Sequence, residues 1–258
     1  MFAARKAQGK KALITFITSG DPDIGTTEKL VPAMEKAGAD LIELGVPFSD
    51  PVAEGPVIQG ANIRALSKGL RTDDIFAMVG RLRRQTQMPL VFMMYINCIF
   101  KYGTERFFRN CAAGGVDGVI VPDLPYEEKD EIAGTARQYG VKAISLVAPT
   151  SHDRIARIAG DAEGFLYCVS SLGVTGVRSQ FSTDFEDFFA HINAAVHVPT
   201  ALGFGISGPE QVRALKKYAD GLIVGSAIVR RVDAAATSEE ALRSASDFTA
   251  SLGAALDE

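Results

Sequence analysis

Short apolar or β-branched runs recur along the chain, separated by longer stretches whose apolar residues fall three or four apart. The runs are ALITFIT (12–18), DLIELG (40–45), PLVFMMY (89–95), DGVIVP (117–122), KAISLVA (142–148), GFLYCVS (164–170), PTALGF (199–204) and DGLIVG (220–225). Between them lie TTEKLVPAMEKAGA, TDDIFAMVGRLRRQTQ, TERFFRNCAAGG, EEKDEIAGTARQYG and GPEQVRALKKYA, each with charges opposite its apolar stripe, as in an amphipathic helix. Gly38, Gly115 and Gly140 close three of these stretches, which suits a helix C-terminus.

The strands are too apolar to leave a wet face, so the pattern predicts a parallel sheet covered on both sides. Eight strand–helix units in 258 residues predict an α/β fold: a closed (β/α)8 barrel, or TIM barrel, with extra short helices, forming one domain over 1–258. An open doubly wound sheet is the rival. Two connections are overlong. One runs from Val46 to Lys68, with a short helix expected over 58–68; the other is SLGVTGVRSQFST, after the sixth strand. In a barrel both emerge at the C-terminal face, where active sites sit.

Composition narrows the class. At 47% hydrophobic the chain can bury a large core, and a net charge of -4 with mixed signs argues against nucleic acid or an anionic membrane as partner. Cys98, Cys111 and Cys168 lack paired spacing, which reads as free thiols in a reducing compartment. Neither a signal-peptide pattern nor a membrane-length apolar run is present, so a cytoplasmic location is expected.

GFGISG (203–208) matches G-x-G-x-x-G, yet it lies in the seventh strand–helix unit and lacks the downstream acid of a dinucleotide site. Taken with VGSAIV (224–229), it reads instead as a second glycine turn after a late barrel strand. Backbone N–H groups at Gly205, Gly225 and Ser226 then converge on one anion, as expected for a phosphate ester. Two ordinary tight turns are the bland alternative.

Glu43 alternates with Leu41 and Gly45 on one strand face, and Ile42, Leu44 and Val46 occupy the other. A buried carboxylate with no neighbouring Lys or Arg takes up a proton or finds hydroxyl donors, for which Tyr95 and Tyr167 are candidates. Proton transfer in a cleft is the functional reading. Glu54 sits in PFSDPVAEGP, where proline and glycine stiffen the loop enough to hold an acid over the barrel mouth. Asp50 competes with it, or simply makes a turn. Other chemistries fit poorly. Lys142 begins its strand, the wrong end for a Schiff base; His152, His191 and His197 lack metal-ligand spacing; Cys168 packs in a strand.

The stretches ELGVPFSDPVAEGPVIQ, VPDLPYEE, SSLGVTGVR, GFGISGPEQV and VGSAIV, in this order, resemble the tryptophan synthase α subunit family from about Leu13 to Val232. That resemblance implies a (β/α)8 barrel cleaving indole-3-glycerol phosphate into indole and glyceraldehyde 3-phosphate without metal or organic cofactor. It implies Glu43 as general acid/base and Glu54 as the acid facing the indole N–H. Gly176, Gly205, Gly225 and Ser226 match the phosphate-binding positions, and Phe16, Ile58, Met93, Tyr95, Tyr167 and Phe204 the indole surround. Thr175 matches the threonine of the loop that closes onto the second acid. A pyridoxal-phosphate-bearing β subunit is implied as partner in an αββα complex, with Asp50–Pro51, Asn97 and Asp123–Pro125 near the contact.

The chain departs from the family at one point. The family pattern P-L-A-D-G-P is here Pro51-Val52-Ala53-Glu54-Gly55-Pro56, which lengthens the second acid by one methylene. A displacement of about 1 Å can cost 100-fold in rate. The alternatives to a working lyase are therefore a catalytically weakened chain that chiefly activates its β partner, or a free-standing indole lyase.

Overall fold

The apolar runs carry apolar residues on both strand faces, so both faces must be buried, and the computed structural model shows how. It describes residues 1–169, 184–203 and 205–258, with the main chain alone for His152 and Asp153. The strands are β1 (Ala12–Thr18), β2 (Leu41–Gly45), β3 (Leu90–Met93), β4 (Gly118–Ile120), β5 (Lys142–Ile144), β6 (Leu146–Val147), β7 (Leu166–Val169), β8 (Thr200–Gly203) and β9 (Gly221–Val224). All are parallel, in the order β5-β4-β3-β2-β1-β9-β8-β7-β6.

The run predicted as one fifth strand is two segments. It breaks at Ser145: β5 pairs with β4 through Ile120↔Ile144, and β6 pairs with β7 through Leu146↔Tyr167. The two ends of the ladder are thus neighbours in the same stretch of chain, and the covalent link closes the ring. An open sheet would have left those ends on opposite edges. The eight predicted runs become nine segments in a nearly closed barrel.

Side-chain alternation sorts the core into two layers. Inside the barrel lie Ile14, Phe16, Leu41, Val91, Met93, Ile120, Ile144, Tyr167, Ala201 and Ile223. Their strand neighbours Leu13, Ile17, Ile42, Leu44, Phe92, Leu166, Cys168, Leu202 and Leu222 face the helices. The helix Thr72–Leu82 meets that outer layer with Ile75, Phe76, Met78, Val79 and Leu82, one stripe at helical spacing. Helix Thr104–Gly114 ends on Gly115 at φ 83°, a left-handed turn that favours glycine. The expected short helix after β2 spans Pro56–Ser67. At the N-terminal end, helix Phe2–Ala7 covers the barrel floor, with Phe2 5.7 Å from the ring of Phe165. Among the described residues no helix is long and apolar enough to cross a membrane.

Candidate active site

Glu43 faces the barrel interior. In register it sits beside Phe16 on β1 and Val91 on β3, both inward residues. Gly45 follows on the same face, and a Cβ there would lie 2.5 Å from Phe16 Cζ, so only glycine lets that ring lie across the mouth. Glu43 is fully buried, and neither carboxylate oxygen has a hydrogen-bond partner among the described residues. The tyrosine-held carboxylate weighed from sequence is therefore not formed. Burial alone pushes Glu43 up to about 8, so it is mostly protonated at neutral pH.

Glu54 reaches the same space from the loop after β2. Among the described residues three hydrogen bonds hold this loop. The Ala53 N–H donates to the Tyr95 hydroxyl at 3.0 Å, Gln59 Nε2 donates to the Glu54 carbonyl at 2.6 Å, and Asn62 Nδ2 donates to Glu54 Oε2 at 2.6 Å. Gly55 then caps helix Pro56–Ser67, with Pro56 at its first position. Burial raises the Glu54 carboxyl, and the Asn62 bond partly opposes it, leaving a value of about 7. Two carboxylates thus share one cavity in different environments, a division that suits acid and base roles. Asp50 is exposed and accepts from the Ser49 hydroxyl.

The cavity is narrow and opens to solvent, and its lining joins both glycine turns to both acids. Glu43 and Glu54 share it with Phe16, Ile58, Met93 and Tyr167, and its far side is Gly205, Gly225 and Ser226. Gly205 takes φ 80°, and Gly225 caps helix Ser226–Asp233, whose positive end therefore opens on the cavity. The turn at Gly205 does not itself open a helix. The next helix, Pro209–Leu215, waits until Gly208, after Gln211 Oε1 accepts from the Ser207 N–H at 2.6 Å. Ile206 and Ile223 also line the cavity and went unnoticed in the sequence. For Ile223 the signal was available, since it is an inward residue two before Gly225. Ile206 gave none.

Tyr95 stands apart. It is buried behind the loop, its ring 5.0 Å from that of Phe48 and its hydroxyl on Ala53, so it supports Glu54 rather than lining the cavity. Thr175, Gly176 and Phe204 lie outside the described residues, as does the His152 side chain. Lys142 is exposed at the opposite barrel end, 3.7 Å from Glu163, and Cys168 is buried against the helix layer. The three cysteines are free. No group of three His, Cys, Asp or Glu side chains among the described residues is placed to hold a metal.

A parallel barrel whose mouth combines a protonated glutamate, a second carboxylate and glycine turns at a helix N-terminus is built as a proton-transferring barrel enzyme. The sequence matches the family model for the tryptophan synthase alpha chain over residues 2–256, and the chain belongs to that family. It is 50% identical over 247 residues to the tryptophan synthase alpha chain of Caldanaerobacter subterraneus subsp. tengcongensis, covering 96% of this chain and 94% of that one. The alpha chain of Alkaliphilus metalliredigens is 50% identical over 245 residues, covering 95% and 92%. Among solved structures, tryptophan synthase subunit alpha from Legionella pneumophila superposes with a TM-score of 0.88 at 34% identity, covering 99% of this chain and 96% of that one. Mycobacterium tuberculosis tryptophan synthase gives 0.89 at 34% identity, covering 99% and 96%.

Proposed function

We infer that the cavity at the barrel mouth is where this chain carries out its family's reaction. It cleaves indole-3-glycerol phosphate to indole and glyceraldehyde 3-phosphate, a carbon–carbon lyase step of tryptophan biosynthesis. The observation that carries the assignment is Glu43, buried without a partner among the described residues in the same cavity as Glu54 and the two glycine turns.

The residues divide the work as follows. Protonated Glu43 delivers its proton to C3 of the indole, leaving a cationic ring. Ionised Glu54 accepts from the indole N–H and stabilises that cation. The Glu43 carboxylate then takes the proton of the side-chain hydroxyl beside the scissile bond. The O–H electron pair becomes the aldehyde C=O, and the pair of the breaking C–C bond returns to the ring, neutralising it. Glu43 ends protonated, as it began. Phe16, Ile58, Met93 and Tyr167 form the apolar slot for the ring, and Gly205, Gly225 and Ser226 hold the phosphate. The chemistry asks for no metal or organic cofactor. Glu54 lines the cavity despite its extra methylene, which supports catalysis by this chain over a purely activating role.

The partner is a tryptophan synthase β subunit, which carries the pyridoxal phosphate, in an αββα complex. Its docking face is the loop cluster after β2, β3 and β4. Tyr95 ties the first two loops, and Asp123 ties the next pair by accepting from the Ile96 N–H at 3.0 Å. Val52, 73% exposed, and Phe100, 47% exposed, offer apolar surface there. Three free thiols suit a cytoplasmic site. Indole release from indole-3-glycerol phosphate by the purified chain tests the assignment. Wild type releases indole and Glu43→Gln does not; equal turnover by both would remove Glu43 from the reaction.

A further inference from the structure

Helix Pro56–Ser67 buries Ile58, Ala61, Asn62 and Ala65, the stripe it turns toward the barrel. Three of these are apolar. Asn62 is the exception, and it is only 3% exposed. A buried amide in a helix interior is costly unless something bonds it. Here the partner is the Glu54 carboxylate, reached by Asn62 Nδ2 at 2.6 Å, while Gln59 on the same helix holds the Glu54 carbonyl. Asn62 lies six positions beyond Pro56, roughly 9 Å along the helix axis. The Glu54 side chain therefore lies along the helix to meet it.

We propose that Asn62 is the positioning residue for Glu54, holding one carboxylate oxygen so that the other faces the ring N–H of the substrate, and favouring the ionised form that this contact requires. The proposal rests on the reaction assigned above. With Oε2 engaged by Asn62, Oε1 is the oxygen that takes the substrate donor. An amide donor bonds a carboxylate more strongly than a carboxylic acid, so it works against the burial that favours the proton. The other titratable groups around Glu54 are Glu43 on β2 and Tyr167 on β7, which share its cavity, and Tyr95 and Cys98 behind the loop, with Asp123 and Lys101 beyond them acting on Cys98. Among the described residues no Lys or Arg lines the cavity, and Lys101 acts on Cys98, so Asn62 is the group placed to favour the charge.

The test combines a titration with a length exchange. In protein labelled with 13C at the Glu carboxyls, with Glu54 assigned by Glu54→Gln, Asn62→Leu is expected to raise the Glu54 midpoint by roughly 1–2 units. Indole release at pH 7 then falls by roughly 5- to 50-fold, in kcat more than KM. Glu54→Asp draws the carboxylate back by about 1.5 Å and breaks the bond. In Glu54→Asp/Asn62→Gln the methylene moves to the other partner, and most of the lost kcat returns. A Glu54 midpoint unchanged within about 0.3 unit in Asn62→Leu overturns the proposal, as does a double variant no better than Glu54→Asp. If Asn62→Leu does not fold, the length exchange decides alone. Wild-type protein that releases no indole would refute the assigned reaction instead, and the titration would still judge Asn62.

Discussion

Replacing Glu43 by Gln separates the functional use of a buried acid from its cost to the fold. The Glu43 carboxyl moves from an ordinary value of 4.5 to about 8 in the folded protein because burial disfavours its charge. The folded state therefore binds this proton more tightly than the unfolded chain does. Below pH 4.5 both states hold the proton and nothing is lost. As pH rises, the unfolded chain ionises first, and stability falls until the folded carboxyl also ionises near pH 8; beyond that the loss is constant. A shift of three and a half units corresponds to roughly 5 kcal/mol at the alkaline limit, and to about 3 kcal/mol at pH 7. Gln cannot ionise. It leaves a buried amide to be satisfied, but that cost is the same at every pH, so the slope of the difference isolates the carboxylate. Urea unfolding of wild type and Glu43→Gln from pH 5 to pH 9 should show the variant gaining on wild type by on the order of 4 kcal/mol. The same variant should release no indole. A stability difference that stays level across this range would refute the reasoning, because it would mean that Glu43 titrates alike in folded and unfolded chains.

Three further outcomes follow from the same geometry. Activity requires Glu54 ionised and Glu43 protonated, so kcat/KM should be bell-shaped, failing as pH falls through about 7 and as it rises through about 8, where the limbs belong to the pair; a profile level from pH 6 to 9 would exclude this division of roles. Arg64 grips the buried Asp21 carboxylate with Nε and Nη2, both at 2.8 Å, and reaches Asp233 at the end of the helix that starts at Ser226 with Nη1 at 2.7 Å. Arg64→Ala should cost about 2–3 kcal/mol in urea unfolding, discounted for the partial exposure of Arg64, and Arg64→Lys should not restore it. Gly205 holds φ 80° at the cavity wall, so Gly205→Ala should destabilise the fold by roughly 1–2 kcal/mol and raise KM for the phosphate ester, measured by steady-state indole release.

Much of this protein was written locally. Strand alternation, helical stripes and terminal glycines depend on neighbours a few residues apart, so β1 spans the very residues of its apolar run and the short helix after β2 falls where expected. The inward face of Glu43 could not be read from its strand, because both faces are apolar; it was decided by pairing with Phe16 and Val91, residues 27 and 48 positions away. Closure of the barrel likewise needed β4 and β7 to take opposite halves of one run at Ser145. Tyr95 and Asn62 are the instructive pair. Resemblance put Tyr95 beside the ring, and packing put it behind the loop; no motif marked Asn62, and the fold placed it on Glu54. Periodicity along the chain determines which element forms and where it ends. Which side chains meet across elements depends on register and on how helices lean on the sheet, and those are set only when the whole core packs at once.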